Sequence, residues 1–304
     1  MGDDELTPRQ QEIVDVEGNC FVEACPGAGK TRTMVSLFMR VALSQAPRHG
    51  VAALSYTNCA ADEIRARCMK AARPDLCEYP NFVGTFDAFV ARFLVIPFGS
   101  RWADSGTKVR VLDAWESIGL SVLVTSKSGT KMPVPMDAFP LNGDGEIGID
   151  IGRVPYTFRA GVETQQQQQQ AIERAKQIRN RQWKRGYLSC DDARVCAALR
   201  LRQARGASIL TALAARFRTL IVDEAQDCSP IDLEILGRLR DAGIRIVAVA
   251  DPNQAIFRFR GANAAALTAF AASMKALPLE ENFRSSHIIC LRIPAIVITQ
   301  IGAS

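Results

Sequence analysis

At 304 residues, with 48% hydrophobic and 23% charged side chains, the chain can bury one large core or two, and its composition is that of an ordinary globular protein. A net charge of +5 permits an anionic partner, while nine scattered cysteines without a Cys-x-x-Cys pair, beside two histidines, argue against a disulfide framework and a zinc site. The opening Met1-Gly2-Asp3-Asp4-Glu5 is unlike a secretion signal and no apolar run approaches bilayer length, so a soluble, cytoplasmic protein with reduced thiols and no membrane partner is expected.

In chain order, Thr7 and Pro8 predict the N-cap and first position of a short amphipathic helix reaching Val14. Gln10 in that helix is a candidate for reading an adenine edge through the two hydrogen bonds an amide can make. Cys20-Phe21-Val22 predicts a buried strand, and Thr33–Met39 has the apolar spacing of a helix packed on a sheet. Between them lies Ala24-Cys25-Pro26-Gly27-Ala28-Gly29-Lys30-Thr31, the phosphate-binding arrangement of nucleotide hydrolases, with Ala24 where the usual pattern starts on glycine. Gly27 and Gly29 let the backbone turn tightly and aim N–H groups at an anion. The helix starting near Lys30 adds its unpaired N–H groups and positive dipole end. Lys30 would reach the β- and γ-phosphates of ATP, and the Thr31 hydroxyl would ligate Mg2+.

Val51–Asn58 predicts a second buried strand, followed by a helix from Ala60 to Ala72 stopped by Pro74. Tyr56, Thr57 and Asn58 stand where ligands collect in an open α/β sheet, although a capped strand-to-helix turn accounts for Asn58 equally well. Val83–Phe89 predicts another strand-to-helix junction. From about Pro97 to Gly186, proline and glycine recur and the periodicity fades, which predicts an inserted subdomain with irregular connections. The unbroken Gln165–Gln170 run is a solvated helix or a linker, and Ala171–Arg185 is a basic helix ending at Gly186. Between Ala171 and Arg218 twelve Arg and Lys face only Glu173, Asp191 and Asp192, a net of +9 that leaves about −4 for the remainder. That segment is either a phosphate-backbone contact or a solvated basic face.

Arg218–Val222 restores a buried strand and delivers Asp223 and Glu224 at its carboxyl end. In a nucleotide hydrolase the first carboxylate holds Mg2+ and the second orients and deprotonates the attacking water. Ile244–Ala250 repeats the design, with Asp251-Pro252-Asn253-Gln254 after it, and the Gln254 amide suits sensing a γ-phosphate. Phe257 and Phe259, interleaved with Arg258 and Arg260, suit base stacking on a single strand or an ordinary core. In Asn282-Phe283-Arg284-Ser285-Ser286, Arg284 could offset charge on a transferred phosphoryl group and Phe283 could stack on a nucleobase.

Taken together these segments, in this order, resemble the superfamily 1A DNA helicases of the UvrD/Rep/PcrA type. The resemblance is carried by Leu6…Gln10, Ala24–Thr31, Ser55–Asn58, Thr85-Phe86, Val222-Asp223-Glu224-Ala225-Gln226-Asp227, Asp251–Gln254 with Phe259-Arg260-Gly261-Ala262, and Asn282–Ser286. It implies that Gln10 reads adenine while Arg32 and Phe283 sandwich it. It implies an ATP–Mg2+ site of Lys30, Thr31, Asp223 and Glu224, with Gln254 and Arg284 near the γ-phosphate. It also implies single-stranded DNA contacts by Tyr56, Thr57, Asn58, Thr85, Phe86, Phe257, Phe259 and Arg260. The chain departs from the family pattern at Cys59 (usually Lys), Asp87 (usually His) and Ala250 (usually Gly). An acid at position 87 is expected to weaken a phosphate contact there.

The expected fold is α/β: a RecA-like parallel sheet of the phosphate-loop nucleotide hydrolases, flanked by helices, with a mostly helical insertion. The resemblance divides the chain into a first part of the motor domain (1–96), the insertion (97–186), a second part (187–290) and the start of a further domain (291–304). It implies an ATP-dependent, 3′-to-5′ DNA helicase acting on single-stranded DNA or a duplex with a 3′ tail. A further candidate partner is a chain supplying the family's second motor domain. The alternative expectation is a non-unwinding module that binds ATP and DNA, a regulator or half of a two-chain motor.

Overall fold

The computed structural model describes residues 6–126, 128–251 and 263–280. Gln254, Phe257, Phe259, Arg260, Phe283 and Arg284 lie outside the described residues. Along the chain run α1 (Pro8–Asp15), β1 (Cys20–Ala24), α2 (Lys30–Ser44), β2 (Gly50–Ser55), α3 (Asn58–Lys70) and β3 (Phe82–Thr85). Next come α4 (Phe86–Phe89), β4 (Arg110–Leu112), β5 (Ser121–Thr125), β6 (Lys131–Pro135), α5 (Gln165–Lys184), β7 (Tyr187–Ser189) and α6 (Cys190–Arg202). The described part closes with α7 (Gly206–Arg216), β8 (Phe217–Val222), α8 (Pro230–Asp241), β9 (Arg245–Ala250), α9 (Ala264–Ala271) and β10 (Lys275–Leu279). Two compact units result, 1–86 with 210–304, and 87–209.

The first unit is built on a six-stranded sheet of order β10-β1-β9-β8-β2-β3, with every neighbouring pair parallel. Parallel strands are covered by helices and read as near-continuous apolar runs. Accordingly, every residue of β2 is buried, as is all of β9 after Arg245. Ile13 of α1, Leu37 and Phe38 of α2 and Ile64 of α3 share one core with Val22, Ile221, Val247 and Val249 of the sheet. The register pairs Glu23 with Ala250, Val222 with Ala248 and Leu54 with Val222. Such pairing sets the carboxyl ends of β1, β9, β8 and β2 level along one edge, where the side chains that follow each strand converge.

Four helices among the described residues of this unit start on side-chain caps, α9 through Asn263, which accepts from the Ala266 N–H. Thr7 and Gln10 form a capping box on α1, Thr57 accepts from the Ala60 N–H on α3, and Ser229 and Asp232 box α8. The edge strand β10 carries Pro278, a residue tolerated at a sheet edge because it gives up one ladder N–H.

The second unit packs the antiparallel β5–β6 hairpin and the parallel β4–β7 pair with α5 and α6. Trp115, Val122, Val134, Met136 and Phe139 form its core with Ala171 and Ala175 of α5. The glutamine run is the start of α5, not a linker. Thr164 and Gln167 form its capping box, and Gln168 Nε2 donates to the Val162 carbonyl at 2.9 Å. Deeper in the unit, Arg179 Nε lies 3.0 Å from Asp192 Oδ2, which also accepts from Trp183 Nε1 at 2.9 Å. Burial raises the Asp192 carboxyl, opposed chiefly by the Arg179 charge. Among the described residues no helix is long and apolar enough to cross a membrane.

Candidate functional site

β1 ends at Ala24, and the chain turns through Cys25–Gly29 into α2. Gly27 and Gly29 adopt φ of 79° and 75°, the left-handed region that suits glycine. At Gly29 a Cβ would also stand 2.8 Å from Gln10 Nε2. Gly29 is the N-cap of α2 and brings no side-chain cap, so N–H groups of the first turn are left for an anion. The loop is fastened to the sheet edge by the Cys25 N–H, which donates to the Leu279 carbonyl at 3.0 Å. The Cys25 thiol donates to the Glu280 carbonyl at 3.1 Å. The side chain of Gln10 is buried beneath the loop: Nε2 donates to the Ala28 carbonyl at 3.2 Å and Oε1 accepts from the Thr7 N–H at 3.1 Å. An amide has a second donor and a second lone pair, so each of these atoms keeps one bond in reserve. Pro26 and Thr31 are half-buried, and Arg32 Nη2 is buried with no hydrogen-bond partner among the described residues.

Two further strand ends complete the cluster. Asp223 follows β8 and donates its N–H to the Leu54 carbonyl at 2.8 Å. Burial first, then the charge of Glu224, pushes its carboxyl up to about 6, against the opposing Glu224 N–H and Lys30. Glu224 itself has φ 53° and ψ 44°, a left-handed backbone that costs a non-glycine residue about 1–2 kcal/mol. Such outliers persist where the surroundings over-determine them, and they cluster at functional sites. Lys30 Nζ lies 3.5 Å from Glu224 Oε2 and 3.5 Å from Asp251 Oδ2, the latter fully buried at the end of β9. Gln226 ties the two acids together. Its Nε2 donates to Glu224 Oε2, and its Oε1 accepts from the Asp251 N–H at 2.9 Å. Sequence reasoning quoted Asp251 and Gln226 within motifs but gave neither a role, although a polar residue just past an apolar strand is the signal that marked Asp223. A lysine between carboxylates, open amides, a hydroxyl and a buried acid can together hold a phosphate and a divalent cation and orient a water.

The strand ends β2 and β3 look different from the sequence-based expectation. The Tyr56 and Phe86 rings stack on each other (centroids 5.8 Å, interplanar 16°) and are only 7% and 1% exposed. The Tyr56 hydroxyl donates inward to Cys228 Sγ at 3.0 Å and Asp232 Oδ2 at 3.3 Å. Both rings lie packed beneath the surface at the carboxyl ends of β2 and β3. Thr57 and Asn58 are exposed at the start of α3, and Thr85 is half-buried. The acid at position 87 is not bare either: Arg194 Nε lies 3.0 Å from Asp87 Oδ1, and Arg194 Nη2 lies 3.1 Å from Asp191. That guanidinium offsets the expected repulsion of a phosphate.

Six parallel strands with a phosphate loop after β1 and acidic residues after β8 and β9 define a RecA-like nucleotide-binding motor domain. The chain matches the UvrD/REP helicase N-terminal domain over residues 6–114 and 153–275, and it belongs to that family of DNA helicases. It is 26% identical to DNA helicase II of Haemophilus influenzae over 93% of its length, covering 39% of that protein. It is 44% identical to RecBCD enzyme subunit RecB of Borreliella burgdorferi over 55 residues, 18% of this chain and 5% of that one. It is 34% identical to the Gabija protein GajB of Bacillus cereus over 89 residues, 29% of this chain and 17% of that one. The chain thus spans less than half the length of each of these relatives.

Proposed function

We propose that this chain is the ATP-binding motor domain of a DNA helicase, in which ATP hydrolysis drives movement along single-stranded DNA in the 3′-to-5′ direction. The observation that carries the reading is Lys30 Nζ poised 3.5 Å from both Glu224 and Asp251, at the point where β1, β8 and β9 end. The residues fit Mg2+ and ATP. The left-handed Gly27 and Gly29 leave an uncapped helix start for phosphate, and the Thr31 hydroxyl and Asp223 carboxylate are oxygen donors of the kind Mg2+ takes. No cluster of three His, Cys, Asp or Glu among the described residues could hold a metal alone.

Thr31 and Asp223 would hold Mg2+, which would supply positive charge against the phosphates of ATP. Lys30 turns from the carboxylates to the phosphates, and Glu224, oriented by Gln226, accepts the proton of the attacking water. Gln254 and Arg284 act at the γ-phosphate, and Arg32 and Phe283 hold the adenine that Gln10 reads. Thr57, Asn58 and Thr85 contact the DNA strand with Phe257, Phe259 and Arg260, over the Tyr56–Phe86 stack. A second motor domain, in cis or on another chain, closes the nucleotide face.

The test is steady-state ATP hydrolysis by the purified chain with and without single-stranded DNA, beside Glu224→Gln and Lys30→Ala. The expected result is DNA-stimulated turnover that Glu224→Gln abolishes without loss of nucleotide binding, and that Lys30→Ala abolishes together with it. Unchanged ATP affinity in Lys30→Ala refutes the reading. ATP and DNA binding without turnover favours the non-unwinding module over the self-sufficient motor.

A further inference from the structure

The unit formed by residues 87–209 carries a groove that the nucleotide chemistry does not use. On β5, Val122 and Val124 point into the core and leave Ser121, Leu123 and Thr125 facing out, with Lys131 of β6 opposite Thr125. On α5, Ala171 and Ala175 are buried, while Arg174, Gln177, Ile178 and Arg181 recur at helical spacing along one stripe. The two faces enclose a groove of about 390 Å³. Its floor is aliphatic, from Leu123, half of whose surface is open to solvent, and Ile178. Its rim carries three cations, Lys131, Arg174 and Arg181, and no lining residue is acidic. None of the three has a carboxylate partner among the described residues. Arg174 is held in place by donating to the Leu123 carbonyl at 2.6 Å.

A basic rim over an aliphatic floor selects for a ligand that is negative and apolar at once. Nucleic acid satisfies the rim, but no aromatic side chain lines the groove, and aromatic stacking is what binds single-stranded bases. The volume suits a bulky side chain flanked by carboxylates. We propose that this groove docks an acidic peptide segment of a partner protein, one bulky apolar residue seated on Leu123 and Ile178 and flanking Asp or Glu paired with Lys131, Arg174 and Arg181. The inference stands apart from the nucleotide site.

The full-length chain is titrated with the fluorescein-labelled peptide Glu-Asp-Leu-Asp-Glu, followed by anisotropy. Saturable binding is expected that weakens at least about tenfold on Lys131→Glu with Arg181→Glu, and likewise with Glu-Asp-Ser-Asp-Glu as probe. Leu123→Ser gives the same loss. All three positions are on the surface, and an unchanged circular dichroism spectrum and urea midpoint confirm the fold of each variant. No saturation up to about 1 mM peptide overturns the proposal. So does a charge-reversed variant that loses affinity for a single-stranded oligonucleotide while its peptide affinity is unchanged.

Discussion

Asp223→Asn in metal-free buffer makes the cost of this site visible. The Asp223 carboxyl is pushed up to about 6 from an ordinary 3.8, so the folded chain holds its proton more tightly than the unfolded chain does. A raised carboxyl stabilises the fold below the unfolded value and loses that contribution as pH rises through the folded one. At neutral pH the ionised group is therefore a burden. A gap of about two units at ~1.4 kcal/mol each amounts to ~3 kcal/mol. Asparagine removes the charge and keeps the oxygen that accepts the Glu224 N–H at 3.0 Å. The expected gain is about 1–3 kcal/mol at pH ~7.5, because the new amide hydrogens offset part of it. The gain shrinks as pH falls through about 6 and is gone below about 4, where aspartate is neutral in both states. Urea denaturation with EDTA across that range measures it. Mg2+-dependent nucleotide binding is lost in the same variant. A variant less stable than the parent at neutral pH, or a gain independent of pH, refutes the reasoning.

Three other perturbations follow from the geometry. Gly29→Ala forces a Cβ to within 2.8 Å of Gln10 Nε2 at a φ of 75°; it costs about 1–2 kcal/mol of strain and lowers ATP affinity at least tenfold in a nucleotide titration. Arg179→Met leaves Asp192 charged and buried, a loss of about 3–5 kcal/mol in urea unfolding, and adding Asp192→Leu recovers most of it. Gln226→Ala removes the amide that holds Glu224 Oε2 and accepts from the Asp251 N–H; kcat for ATP falls about ten- to a hundredfold with KM nearly unchanged, by steady-state kinetics.

Most of the central sheet was legible because β1, β2, β8 and β9 are buried along nearly their whole length, so an apolar run with polar residues after it gave both the strand and the neighbourhood of the site; the edge strand β10, exposed along much of its length, carries no such run. The same logic failed where a residue type has two uses. Pro133 and Pro135 read as breaks, yet they stand opposite Leu123 and Ser121 in the β5–β6 hairpin, both at positions of the same parity along β6. Proline survives in a strand where its missing N–H faces away from the ladder. Tyr56 and Phe86 at strand ends read as ligand contacts, yet an aromatic there also suits a core, and their mutual stacking, which no local pattern contains, came only with the fold. The bridging role of Gln226 was invisible for another reason. Its partners, Glu224 and the Asp251 N–H, come from two strands, and a side chain's role across a sheet is fixed by register that no local pattern contains.

The lysine of the phosphate loop is never a bare cation. With Nζ equidistant from Glu224 and Asp251, its charge is balanced before any phosphate arrives. Binding is then an exchange of counterions, and affinity reflects the difference between a phosphate and two carboxylates as companions for one ammonium. The same exchange run backwards helps empty the site: as a phosphate leaves, the acids reclaim the lysine. Under the proposed function, a motor that must release spent nucleotide every cycle would gain turnover from a grip held in reserve.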